Sequence, residues 1–310
     1  MTIREQLLEL THSLLASQIL RAHRLLLSAF VLSSFLTPVE ALEERPVLLP
    51  CSLLNPALSK SYWHPLDHNI HIKSVSLIVP GLNLNHRKLN SLASALIQAG
   101  VAPLIVPLED PSPESLGSDI AWQAQVQLAY CKARKWARER NISHVHAIGH
   151  SLGALALLDL LTREHGERAQ TLTLIAPSLY VRTMTKLIDW IDWLPFGSLP
   201  SFNLEDYRLN DSTKLSTYHS LRIMREHFLA HESEIKNWPA TLIIMSPKDE
   251  LIDSELTKEF ASEHKLSFKY LTPHSEGQRT IQHLIIDPPS MGQAEFEKFV
   301  RLIEKHFAQD

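Results

Sequence analysis

Five residues, Gly149-His150-Ser151-Leu152-Gly153, set a small nucleophilic side chain between two glycines. The run before them, Val145 to Ile148, reads as the end of a β-strand. The run after, Ala154 to Leu161, reads as a helix apolar on nearly every side. A Gly-x-Ser-x-Gly at a strand-to-helix junction is a nucleophile elbow, which holds the serine on a sharp turn where larger neighbours would clash. The bare pattern is weak, and most matches to it are turns without chemistry. Strand, serine and buried helix in immediate succession make it specific. The chemistry on offer is nucleophilic catalysis. A serine hydroxyl attacks poorly until a base takes its proton, and the base needs an acid to orient it.

Two histidine clusters compete for attention. His144 and His146 alternate along the strand and His150 sits in the elbow, but no carboxylate joins them in local ligand spacing. His64, His68 and His71 lie in an approach segment that contains proline and aspartate. A zinc site needs converging ligands and an open position, and neither cluster is read as one. No glycine-rich phosphate or dinucleotide loop is present, so no organic cofactor and no metal is implied.

The elements that must hold the serine fit the composition. At 310 residues the chain has room for one large domain, or for a domain with an insertion. Hydrophobic residues at 45% and charged residues at 21% are ordinary for a globular enzyme and argue against disorder. A formal net charge of -4 without a basic block argues against a nucleic-acid partner. The two cysteines, Cys51 and Cys131, have no paired spacing. They exclude a disulfide-dense scaffold and a cysteine zinc site, and leave the redox compartment open.

Residues 1–41 differ from the rest. Arg21 and Arg24 precede an uncharged stretch from Leu25 to Pro38, and Glu40, Glu43 and Glu44 follow it. The stretch is short for a membrane span but suits the apolar region of a secretory signal, with Val39-Glu40-Ala41 as a cleavage site. Met1 to His23 is long for the leader of such a signal. An amphipathic helix that packs on the domain or lies on a membrane surface is the other reading. The first reading places the protein in the cell envelope and the packed helix leaves it cytoplasmic.

From Lys73 onward strand and helix alternate. Short apolar strands are expected at Val75–Val79, Ala102–Pro107, before the elbow, and at Leu172–Ile175, Thr241–Met245 and Leu266–Leu271. Between them come a helix with Leu89, Leu92, Ala93, Leu96 and Ile97 on one face, and a helix from about Asp119 with Ala121, Ala124, Leu128 and Cys131 on one stripe. The last helix repeats Phe296, Phe299, Val300, Ile303 and Phe307 at helical spacing. Such alternation calls for an α/β fold: a mainly parallel sheet covered by helices on both faces.

The order of strand, glycine-containing loop, elbow serine, late acid and later histidine resembles the α/β-hydrolase fold in its esterase and lipase branch, over roughly residues 73–307. The resemblance implies an acid just after a late strand. Asp249 stands there, behind Thr241–Met245 and a turn, with Glu250 and Asp253 as neighbours. A helix N-cap is the structural alternative for Asp249. The base must come later, and His274 and His283 both qualify. His283 is preferred, because the apolar run Leu284-Ile285-Ile286 behind it resembles the segment that follows the catalytic histidine in bacterial relatives. The resemblance further implies oxyanion donors at the backbone N–H of Leu152 and of Leu82, in the loop Pro80-Gly81-Leu82-Asn83. Many relatives have His-Gly where this chain has Pro80-Gly81, which spares a backbone donor but not histidine contacts.

Between Ile175 and Thr241 lies more chain than one crossover needs. The residues at about 180–239 are expected to form a helical cap insertion in a domain spanning 42–310. Trp190, Trp193, Leu194, Phe196, Leu199 and Phe202 there would line an acyl pocket or glue the cap down. The resulting expectation is a cofactor-independent serine hydrolase that cleaves carboxylic esters through an acyl-enzyme, with a small-molecule partner carrying an apolar acyl group. A thioesterase or acyltransferase could use the same site. A non-catalytic binding protein associated with the envelope is the reading from a different class.

Overall fold

A computed structural model describes residues 48–108, 118–163, 168–182, 197–201, 203–273 and 281–309. The expectations for residues 1–41, for His274, and for Trp190, Trp193, Leu194, Phe196 and Phe202 fall outside those residues.

Seven strands form the main sheet. They are β1 (Tyr62–Trp63), β2 (Ser74–Val79), β3 (Val101–Ile105), β4 (His144–His150), β5 (Thr171–Ile175), β8 (Ala240–Met245) and β9 (Ser267–Tyr270), in the order β1-β3-β2-β4-β5-β8-β9. All pairings are parallel except the short edge strand β1, which runs antiparallel to β3. A separate antiparallel ribbon joins β6 (Ser198–Pro200) to β7 (Ser212–Lys214). The helices are α1 (Asn90–Gln98), α2 (Ser118–Arg138), α3 (Leu152–Leu161), α4 (Leu215–His231), α5 (Ser254–Glu263), α6 (Pro288–Met291) and α7 (Gln293–Phe307).

The central strands are buried along their whole length, as parallel strands covered on both faces must be. Their side chains alternate between two cores. Val75, Leu77 and Val79 of β2 face a cluster completed by Trp122, Val126, Leu155, Leu158, Met224 and Phe228 from α2, α3 and α4. Ile78 faces the opposite cluster, with Leu92 and Leu96 of α1 and Phe299 and Ile303 of α7.

The stripe expected on α2 is shifted. Of its residues Cys131 is buried but Ala121, Ala124 and Leu128 are only partly so, whereas Trp122, Val126, Ala129, Ala133 and Ala137 are buried. Gln123 and Gln127 are buried beside that face, so the polarity of the sequence hides it. Their amide nitrogens find acceptors inside: Gln127 Nε2 donates to the Leu49 carbonyl, and Gln123 Nε2 to the carboxylate of Asp159.

Asp159, on the helix that follows the elbow, is fully buried and ties three helices together. Its Oδ2 also accepts from Arg163 Nε at 2.8 Å, and its Oδ1 lies 2.6 Å from His227 Nδ1 on α4. Removing one partner of a buried charged pair strands the other without water. Asp159→Ala is therefore expected to cost about 3–5 kcal/mol of unfolding free energy, measured by urea titration. A loss below about 1 kcal/mol would mean that Arg163 rehydrates freely.

Cys51 and Cys131 form a disulfide across a sequence separation of 80, tying the approach segment to α2. Two cysteines so far apart carry no spacing signal, which is why the sequence left them unpaired. Closing a loop of that size restricts the unfolded chain by about 4.5 kcal/mol in the loop-entropy account. The Cys51→Ser, Cys131→Ser double variant is expected to lose about 2–5 kcal/mol, and the wild type to lose the same on reduction. Unfolding titrations with and without dithiothreitol check both.

Candidate active site

Strand order decides where a site can form. The chain leaves β2 towards β3 on one side, then returns to place β4 on the other side of β2. The loops leaving β2 and β4 therefore diverge at the carboxyl ends of neighbouring strands, which opens a crevice there. Val79 and Gly149 pair across those strands, so the loop at Pro80-Gly81 and the turn at Ser151 start side by side.

Ser151 occupies that turn at φ 52 and ψ -113, a conformation that side chains rarely adopt. Its N–H donates to the Ile175 carbonyl at 2.8 Å, and its carbonyl accepts from Leu155 N–H at 3.1 Å as α3 begins. Close packing makes the flanking glycines obligatory. A Cβ on Gly153 would lie 2.3 Å from the Val79 carbonyl oxygen, and one on Gly149 would lie 2.6 Å from Ala154 Cα. Both obstacles are backbone and cannot swing aside. Gly81 is more than a turn residue, because a Cβ there would meet the His150 ring at 2.7 Å and Ser151 Cβ at 3.1 Å.

The three neighbouring acids separate by geometry. Asp249, 1% exposed, turns Oδ2 to His283 Nδ1 at 2.8 Å, while its Oδ1 accepts the N–H groups of Leu251 at 2.9 Å and Ile252 at 2.8 Å. Glu250 accepts the backbone N–H groups of Gln282 at 2.9 Å and His283 at 3.1 Å, gripping the histidine loop from outside. Asp253 is the N-cap of α5, accepting from the N–H groups of Glu255 and Leu256. The N-cap role considered for Asp249 thus falls to Asp253.

The electrostatics follow from these contacts. Burial alone would raise the Asp249 carboxyl, but the His283 charge, its hydrogen bond and the two backbone N–H groups hold the pKa below the ordinary carboxylate value. Burial likewise pulls His283 down, and the Asp249 carboxylate with its hydrogen bond, helped by Glu250, outweighs it, so the pKa is raised. With Nδ1–H given to Asp249, Nε2 is the nitrogen left to accept a proton. His283 is 3% exposed and is followed by the buried residues Leu284, Ile285 and Ile286.

Two contacts here had no signal in the sequence. His150 donates from Nε2 to the His283 carbonyl at 3.0 Å, and the two rings lie 5.1 Å apart. Burial first, then the charge of His283, pushes its pKa down to about 3, so the ring stays neutral. Ser178 places its Oγ 3.0 Å from Ser151 Oγ, the hydrogen bond that the Ser151 hydroxyl makes among the described residues. Two other histidines make contacts away from the cleft. His146 bonds Thr171 Oγ1 at 2.8 Å and stacks on Phe307 at 4.0 Å, with burial pushing its pKa to about 4. His64 bonds Ser94 Oγ at 3.1 Å. Among the described residues no group of three or more His, Cys, Asp or Glu side chains could hold a metal ion.

Ser151, Ser178 and His283 line one cleft. Leu82, Val181, Leu221, Leu251 and Ile252 give it apolar walls, and Tyr218, Leu221, Arg222 and Arg225 of α4 close one side. Leu82 also borders, with Leu152 and Trp122, a smaller hollow. Asn203 holds the Leu82 loop by donating Nδ2 to the carbonyls of Leu82 at 3.1 Å and Asn83 at 3.0 Å. Tyr207 reaches from the same segment to the histidine loop, its hydroxyl 2.7 Å from Asp287 Oδ1.

This arrangement of sheet, elbow and loops recurs in solved structures. One of two metagenome-derived lipolytic enzymes aligns over 81% of this chain and 98% of its own, with TM-score 0.60 and 14% identity. The chain has the α/β-hydrolase fold. A soluble variant of monoglyceride lipase from Saccharomyces cerevisiae, in complex with a substrate analogue, shares that α/β-hydrolase fold over 79% of this chain and 91% of its own, at TM-score 0.59 and 12% identity. A monoacylglycerol lipase of Paleococcus ferrophilus does so over 80% and 99%, at TM-score 0.55 and 17% identity. No protein-family model matches the chain, and no curated protein matches its sequence.

Proposed function

We propose that this protein is a serine hydrolase that cleaves carboxylic esters through an acyl-enzyme. The observation that carries the reading is a strained serine at a strand-to-helix elbow, sharing one apolar cleft with a histidine whose far nitrogen is held by a buried carboxylate. Ser151 is the nucleophile, His283 the general base and Asp249 the group that orients and charges the base. As Ser151 Oγ bonds to the ester carbon, its proton passes to His283 Nε2, and the carbonyl oxygen becomes an anion. The N–H of Leu152, which opens α3 and has no intrahelical acceptor, and that of Leu82 are the donors for it. His283 then protonates the departing alcohol. Water repeats the sequence on the acyl-enzyme, regenerating Ser151 and releasing the acid.

The apolar walls of the cleft favour an apolar acyl group. Residues 180–239 serve in this reading as a cap. The described part of that stretch supports it: Asn203 and Tyr207 fasten it to both catalytic loops, while Met224 and Phe228 of α4 root it in the core. The lipase and esterase names of the structural neighbours point the same way. The Cys51–Cys131 disulfide favours an oxidising compartment, which agrees with residues 1–41 acting as an export segment. Labelling by a fluorophosphonate probe, with turnover of a p-nitrophenyl ester series, tests the activity. A folded protein that takes no label and turns over no ester is a binding protein instead.

A further inference from the structure

Two non-glycine residues with positive φ follow directly on the paired ends of β4 and β5, Ser151 at φ 52 and Ala176 at φ 45. Strain of this kind persists only where the surrounding structure enforces it, and it concentrates at functional sites. Its effect here is specific. Ala176 anchors its N–H on the Ile244 carbonyl at 2.9 Å, Pro177 stiffens the next step, and the chain turns back onto the elbow. Ser178 N–H then donates to the Ser151 carbonyl at 3.3 Å, and Ser178 Oγ arrives 3.0 Å from Ser151 Oγ. Both side chains are buried, at 4% and 8% exposure, on the wall of the cleft that His283 lines.

Proton counting fixes what the second hydroxyl can do. A serine hydroxyl has one hydrogen and two lone pairs. In the free enzyme either oxygen could donate to the other. Once Ser151 is acylated its oxygen has no hydrogen, and only Ser178 can donate across the pair. We propose that Ser178 is a catalytic residue of deacylation, donating its O–H to Ser151 Oγ as that oxygen departs. This rests on the reading of Ser151 as the nucleophile.

The balance of the step is complete without any further reactant. Water oxygen bonds to the acyl carbon and gives one proton to His283 Nε2. The bond from the carbon to Ser151 Oγ breaks, its electron pair stays on Oγ, and the proton on Nε2 moves there. Ser178 keeps its own proton throughout. An ester oxygen accepts weakly, whereas the same oxygen accepts strongly as negative charge gathers on it. The contact is therefore tighter in the transition state than in the acyl-enzyme, which is what acceleration requires. During acylation Ser151 Oγ is giving up electron density to the ester carbon, so a donor there brings no comparable gain.

Ser178→Ala and Ser178→Cys separate the two half-reactions, the thiol being a weaker donor of similar shape. With a p-nitrophenyl ester, acylation appears as kcat/KM, and deacylation as the decay of the acyl adduct by intact mass after a single turnover. The expected result for alanine is deacylation slowed roughly 10- to 100-fold, the adduct accumulating, kcat and KM falling together, and kcat/KM within about threefold of wild type. Cysteine should fall between alanine and serine, and it carries the test if the alanine protein has a lowered unfolding midpoint. Deacylation within about twofold of wild type overturns the proposal. So does an equal fall in kcat and kcat/KM without adduct, which marks a purely structural residue. A wild type that forms no adduct at all removes the nucleophile reading itself, an outcome distinct from either.

Discussion

Ser151→Ala is expected to lower kcat on any ester by 10³-fold or more and to abolish labelling by a fluorophosphonate. The size follows from the proposed mechanism, in which nucleophile, base and acid act as a unit: without the serine oxygen no acyl-enzyme would form, and the oxyanion donors would be left to assist water alone. The fold should survive, since alanine keeps the Cβ that already fits between Gly81 and the turn. Relief of strain does not follow, because alanine resists φ 52 as serine does. The lost hydroxyl leaves Ser178 with an unused hydrogen bond, a cost of about 1–3 kcal/mol at most. Full activity in a folded Ser151→Ala protein would end the acyl-enzyme mechanism.

The fold and the elbow were legible in the sequence because both are written locally. A buried parallel strand is a short apolar run, and the elbow is five consecutive residues whose glycines answer to backbone atoms a few ångströms away. The phase of α2 was not legible. Gln123 and Gln127 look solvent-facing until Asp159 and the Leu49 carbonyl, 36 and 78 residues distant, are brought to them. The same reason hid the disulfide. Around the site, placement at the end of a late strand favoured Asp249 over Glu250 and Asp253, but the sequence does not show what each of them holds. Each of the three carboxylates caps or grips something, and only the direction of each distinguishes them. Ser178 was beyond reach in a stronger sense, because its contact depends on the left-handed turn at Ala176 and alanine does not advertise such a turn.

His283→Ala is expected to remove nearly all turnover, about 10³-fold or more, whereas His274→Ala should leave kcat within about tenfold. The pH profile adds a test that loss of activity alone does not give. In the proposed mechanism only a neutral His283 can take the serine proton, so kcat/KM should fall on the acid side as the free enzyme's imidazole becomes charged. The Asp249 carboxylate raises that pKa against the opposing effect of burial, so the acid limb should lie above the ordinary histidine value of about 6.5. Asp249→Asn removes the charge and keeps the burial. The limb should then move to lower pH, while kcat drops by roughly 10³- to 10⁴-fold because the amide no longer enforces the Nδ1–H tautomer. Those two changes have opposite signs at low pH: the base is more available, yet it is worse held. An acid limb that stays in place in Asp249→Asn would show that another group sets it, and the 2.8 Å contact between Asp249 and His283 would then be structural rather than catalytic.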